Sequence, residues 1–143
     1  MKNIKFLISV VCFLLIANVS AQSFDLNKYN EEKGKILNVI LNTVQFDSIY
    51  SSKLVYFASN ELLSKATPLI IKRGKCKIKL LERGELKEKK IRYVSLGDFT
   101  MPKENPTYVR VQLYSSSTNK TLNLRLEKNK GDWLIINHLI MEN

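Results

Sequence analysis

Between Leu26 and Val44 apolar residues recur every three or four positions, and after Lys72 they recur every second one. That change of period constrains the chain more than any other feature, because it divides the molecule into an amphipathic helix and a set of strands. In the first part Leu26, Tyr29, Ile36, Val39, Ile40, Thr43 and Val44 form the stripe, with Lys28, Glu31, Glu32 and Lys35 between them. Asp25 or Asn27 is placed to cap the first turn. Gly34 inside the helix costs about 1 kcal/mol relative to alanine, so the helix needs something to pack on. From Lys53 to Ser64 the pattern fits either a short helix or a buried strand through Leu54-Val55-Tyr56-Phe57, and Pro68 ends whichever forms.

In the second part Lys75, Lys77 and Lys79 alternate with Cys76, Ile78 and Leu80, and Ile91, Tyr93 and Ser95 alternate with Lys90, Arg92 and Val94. A turn from Arg83 to Leu86 predicts a hairpin with Ile78 opposite Ile91, Cys76 opposite Tyr93, Lys77 opposite Arg92 and Lys79 opposite Lys90. Cys76 is then a small buried hydrophobe. Pro102 and Pro106 bracket a loop. A second hairpin, turning at Thr118-Asn119, pairs Leu113 with Leu124 and Val111 with Leu126 on one face, and Arg110 with Glu127 and Gln112 with Arg125 on the other. Asn129-Lys130-Gly131-Asp132 turns into a last strand, Trp133 to Met141. Its apolar residues lie on both sides, which predicts a central position covered on both faces. The expectation is an α+β fold: an N-terminal helix and a short second helical element packed on a curved antiparallel meander of about five strands.

The first 21 residues read as a cleavable signal peptide: Lys2 and Lys5, an apolar run from Phe6 to Ile16, then Val19-Ser20-Ala21. The run is shorter than the roughly 20 residues a membrane span needs. Cutting at Ala21 takes 21 residues from the 143 and leaves residues 22–143 as one α+β domain of 122. It also takes two lysines from a net charge of +10, leaving +8. The expected location is periplasmic or secreted. Cys12 leaves with the peptide, so Cys76 has no internal disulfide partner.

A long first helix, a short second one and a meander ending in Gly131-Asp132-Trp133-Leu134-Ile135-Ile136 resembles the cystatin-like superfold, in particular the nuclear transport factor 2-like proteins. The resemblance covers most of residues 25 to 143. It implies a sheet wrapped round a helix to leave a conical pocket, in a family that holds isomerases, dehydratases and many non-catalytic binding proteins.

Little in the chain points to catalysis. His138, the sole histidine, is the candidate general base and Asp98, after Gly97, the candidate acid; a hydrogen-bonded strand histidine and a turn aspartate are the simpler readings. One histidine and one cysteine do not assemble a metal site from soft ligands, and no cofactor motif is present. Tyr93, Tyr108, Tyr114 and Trp133 are the candidate pocket lining. Charge is the stronger signal: from Lys72 to Arg92 ten basic residues stand against Glu82, Glu85 and Glu88. In the hairpin above, Lys77, Lys79, Lys90 and Arg92 make a like-charged stripe, a candidate site for an anionic envelope component or an acidic protein. A face kept polar to discourage strand-edge association accounts for the same lysines. Nucleic acid is excluded as partner by export and by the absence of interleaved aromatics. The leading expectation is non-catalytic binding of a small ligand or an anionic partner. A pocket-type isomerase or dehydratase is the alternative, and an inhibitor or immunity-like protein the second.

Overall fold

Asp25 opens the first helix, its carboxylate accepting from the amides of Asn27 (3.0 Å) and Lys28 (3.2 Å). From there the computed structural model, which describes residues 24–66 and 69–143, runs α1 (Leu26–Leu41), α2 (Val44–Asp47), β1 (Tyr56–Ala58), β2 (Lys72–Arg73), β3 (Cys76–Lys77), β4 (Lys79–Leu81), α3 (Arg83–Glu88), β5 (Val94–Thr100), β6 (Tyr108–Ser115), β7 (Lys120–Asn129) and β8 (Asp132–Glu142). The expected signal peptide at residues 1–21 and the expected break at Pro68 lie outside the described residues. No helix among the described residues is long and apolar enough to cross a membrane.

The fold is α+β, a helix followed by a mixed sheet of six strands in the order β4-β1-β5-β6-β7-β8, with β2 and β3 forming a separate ribbon. The antiparallel meander holds from β5 to β8, but β1 lies parallel to both β4 and β5. The segment that fitted helix or strand becomes strand β1, where Phe57 and Ala58 are fully buried. Val109, Val111 and Leu113 of β6 and Leu122, Leu124 and Leu126 of β7 point to one face, and α1 covers it with Ile36, Leu37, Ile40 and Leu41. Each such side chain contributes roughly 1.5–3 kcal/mol through burial. Two bulges bend the sheet: Gly97 stands unpaired between Leu96 and Asp98, and Ile136 between Ile135 and Asn137. A side chain at Gly97 would put its Cβ 2.8 Å from Gln112 Oε1, so the end of the Gln112 side chain would have to move aside.

Four expectations are corrected. The hairpin joining residues 75–80 to 90–95 does not form: Lys77 lies opposite Lys72, Lys79 lies opposite Tyr56, and the expected turn is helix α3. Alternation tells which way a side chain points, not which strand lies beside it. Here one helical turn buries Leu86 and pairs Glu85 with Lys89 at 2.9 Å. Second, Cys76 is exposed on the ribbon, not buried in a sheet.

Third, β6 and β7 pair Leu113 with Leu122, Val111 with Leu124 and Arg110 with Arg125, two residues away from the expected register. The turn is Ser116 to Asn119, held by the Ser115–Ser117 hydroxyl contact (2.9 Å) and by Thr118, whose hydroxyl donates to the Ile49 carbonyl (2.9 Å). Fourth, β8 is an edge strand, with Leu134, Ile136, Leu139 and Met141 exposed. The bulge at Ile136 swaps faces, so Trp133, Ile135, His138 and Ile140 share the core side. Its leading turn is as expected: Lys130 (φ 50°) and Gly131 (φ 92°) make the two-residue link that favours glycine second.

Candidate functional site

On α1, Glu32 and Lys33 precede Ile36 by four and three residues, so the apolar stripe that binds the sheet carries both charges inward. Glu32 is 8% exposed. One of its oxygens accepts from Lys128 Nζ (2.9 Å) and from the Trp133 indole (2.9 Å), the other from Lys35 Nζ (3.1 Å). Burial works against its charge, and these three donors more than offset burial, bringing its pKa from 4.5 to about 2. Lys33 has no carboxylate partner among the described residues. Its ammonium donates to the Leu62 carbonyl and lies 5.0 Å from the centre of the Phe99 ring, and burial lowers its pKa.

Beside Glu32 opens a cavity of about 310 Å³, walled by Phe24, Tyr29 and Met101 and lined also by Lys28 and Lys103 and by Asp25 and Glu104. Tyr29 meets Phe24 and Phe99 edge-on at 5.5 and 6.5 Å, and burial raises its pKa. Lys103 lies 5.2 Å from the centre of the Phe24 ring. A second groove, of about 350 Å³, runs between the polar side of α1 and residues Leu69 and Ile70.

The β2–β3 ribbon is fastened to α1 by amide side chains. Asn38 donates to the Ile70 carbonyl (3.3 Å) and accepts from the Lys72 amide (2.7 Å); Asn42 donates to the Lys72 carbonyl (3.2 Å) and accepts from the Gly74 amide (2.8 Å). Spaced one helical turn apart, the two asparagines act on the extended backbone as a neighbouring strand does. This fixes the alternation: Ile71 is buried and Ile70, at 73%, is exposed with Lys72. Lys77 stands opposite Lys72, and the Ile78 amide donates to the Ile71 carbonyl (3.1 Å), which carries Lys79 onto the same outward face. Lys75 sits at the tip. Arg73 turns inward, its guanidinium bonded to the Tyr50 carbonyl (2.8 Å) and the Asp47 carboxylate. Among the described residues no ion pair includes Lys72, Lys75, Lys77 or Lys79.

Of the expected anion-binding set, Lys77 and Lys79 are together on this face, while Lys90 and Arg92 belong to the exposed segment after α3 and pair with neither. The four aromatic candidates are scattered. Tyr108 and Tyr114 are on the outer face of β6, Tyr93 is half-buried before β5, and Trp133 is in the core on Glu32. None of them lines either cavity, nor do His138 and Asp98. His138 is exposed on β8 opposite Leu124, and Asp98 accepts from the Thr100 hydroxyl (2.8 Å). Sequence reasoning missed Tyr29, Glu32 and Lys33 as a group. The signal was their spacing, since all three lie on the helical stripe of Ile36 and Ile40. Among the described residues no three His, Cys, Asp or Glu side chains converge as metal ligands. Comparison with known proteins finds no matching family model, no matching curated protein and no matching solved structure.

Proposed function

We propose that this is a non-catalytic binding domain, exported by removal of residues 1–21, that holds an anionic partner of the cell envelope against the outward face of the β2–β3 ribbon. The observation that carries the reading is the set Lys72, Lys75 and Lys77 on the fastened ribbon and Lys79 at the start of the adjoining edge strand β4, all exposed and joined to no acid among the described residues. Like charges held this close repel one another, and an anion set between them relieves the repulsion. The domain is further proposed to be of the cystatin-like, nuclear transport factor 2-like kind, a reading supported by the order of its elements and by the Gly131-Asp132-Trp133 turn. Binding is favoured over an isomerase or dehydratase role because neither Asp98 nor His138 lines the described cavities.

The test is retention on phosphatidylglycerol vesicles and on an acidic polysaccharide at rising salt. Retention on one of them is expected, falling as salt rises and lost in the triple variant Lys72→Gln, Lys77→Gln, Lys79→Gln. Retention unchanged by that substitution contradicts the reading. A second reading, favoured by the aromatic cavity at Tyr29, is a small ligand held against Phe24 and Tyr29. It predicts that Tyr29→Ala abolishes ligand binding while the triple lysine variant keeps it.

A further inference from the structure

The last strand has the composition of one enclosed by neighbours and the position of one with a neighbour on a single side. Residues 133–141 hold no lysine, arginine, aspartate, glutamate or proline, and apolar side chains occupy both faces. Yet β8 ends the sheet, and Leu134, Ile136, Leu139 and Met141 stand in water, Leu139 at 58%. The opposite edge, β4, is handled differently: it is three residues long and carries Lys79. Long, uncharged, apolar edges are what folded proteins avoid leaving open, because the free backbone groups template another strand. We propose that β8 pairs antiparallel with β8 of a second copy of this chain, making one continuous sheet across a twofold axis.

The backbone fixes which groups are free. The Lys128 amide donates to the Thr107 carbonyl (2.8 Å), so even-numbered residues of β7 face β6 and odd-numbered ones face β8. The Asn143 amide donates to the Asn119 carbonyl (3.1 Å), in the same phase. Asn137, Leu139 and Met141 therefore bond to β7, while His138, Ile140 and Glu142 present N–H and C=O to the open edge. Beyond the Ile136 bulge this segment pairs regularly with β7, so it is the part able to accept a partner.

With the axis at Leu139, His138 of one copy exchanges backbone bonds with Ile140 of the other, and Leu139 faces Leu139 of the second copy as a non-hydrogen-bonded pair about 4.5 Å apart at Cα. Asn137 then faces Met141. The twofold keeps like faces together, so Leu139 and Met141 of the two copies lie side by side and cover one another. A second copy meets this edge without charge conflict, and the pairing phase of β8 is complementary to itself under a twofold. The chain is strongly basic, but its excess is concentrated between Lys72 and Arg92, and β8 is a strip on which two positive copies meet without opposed charges. This inference does not rest on the anionic reading, whose ribbon follows the other edge.

Sedimentation equilibrium from micromolar to millimolar protein tests it. The expected result is a concentration-dependent dimer. His138→Pro removes an amide that only the second copy would use, and Leu139→Lys sets two cations on the axis; each is expected to weaken dimerisation by about 100-fold with an unchanged circular dichroism spectrum. Because Leu139 also marks the axis, Leu139→Cys in a Cys76→Ser background is expected to form a disulfide-linked dimer under mild oxidation. A monomer throughout the range overturns the proposal, and so does a dimer indifferent to both variants and not crosslinked through position 139.

Discussion

Glu32 and Lys33 are adjacent on α1 and both buried, yet their environments give them opposite consequences. Glu32 receives three donors, and its pKa in the folded chain is below its ordinary value. Its stabilising contribution is therefore full above about pH 4.5 and is lost as the pH falls toward 2. Allowing for screening on the side of the carboxylate that meets the cavity, the contribution is about 2 kcal/mol. Glu32→Gln is expected to lower stability by about that much at pH 7 and to flatten the acid limb of a urea-denaturation series across pH. Lys33 has a carbonyl and an aromatic face in place of a counter-ion, and burial pulls its pKa down. Folding is then opposed by its charge at neutral pH, and the opposition fades as the pH rises through its lowered pKa toward 10.5. Lys33→Met is expected to stabilise the fold by about 1 kcal/mol at pH 7, with no further gain in the alkaline range; a destabilised variant would mean that the Leu62 bond outweighs the desolvation.

At the scale of elements, the β2–β3 ribbon is held to α1 by two asparagines, beside the Arg73 bonds to Tyr50 and Asp47 and the burial of Ile71. Asn38→Ala and Asn42→Ala are each expected to cost about 1 kcal/mol. Hydrogen exchange should show faster exchange at the Lys72 and Gly74 amides and little change in β6 and β7; uniform protection in both variants would contradict the fastening role. The same scale explains what was legible in the chain. The stripe of Ile36 and Ile40 is a local signal, and so is the alternation of Val109 to Leu113 and Leu122 to Leu126, so α1 and the inward faces of β6 and β7 could be read directly. A shift of two residues leaves every side chain on its own face, so Leu113 could be matched to Leu124 or to Leu122 without conflict. What decides is the Thr118 bond to Ile49, a contact between residues 69 positions apart. The parallel seating of β1 between β4 and β5 is equally non-local, and with it went the expected stripe of Lys77, Lys79, Lys90 and Arg92. In the candidate site, Lys77 and Lys79 were legible as exposed strand cations; Lys72 as their companion was not, because its pairing with Lys77 depends on the turn at Gly74.

Across the whole molecule, the cluster of lysines and the apolar edge strand lie on different elements. Lys72, Lys75, Lys77 and Lys79 gather on the ribbon and the start of β4, with Ile70 exposed beside them, and Leu134, Ile136, Leu139 and Met141 line the β8 edge. The proposed function uses the first and the proposed pairing uses the second, so a dimer would present two basic ribbons at the far ends of one sheet. Two linked sites raise retention on a multivalent anionic surface beyond that of either alone. Leu139→Lys is therefore expected to reduce retention on vesicles without changing how each ribbon responds to salt, an outcome read by comparing its salt titration with that of the unaltered chain. The central claim is that Lys72, Lys77 and Lys79 recognise negative charge. Its most direct test is the dependence of vesicle or polysaccharide affinity on salt concentration, measured for the unaltered chain and for the triple glutamine variant. A steep loss of affinity with salt that becomes shallow in the variant is the predicted result, and identical slopes for the two proteins would contradict the account.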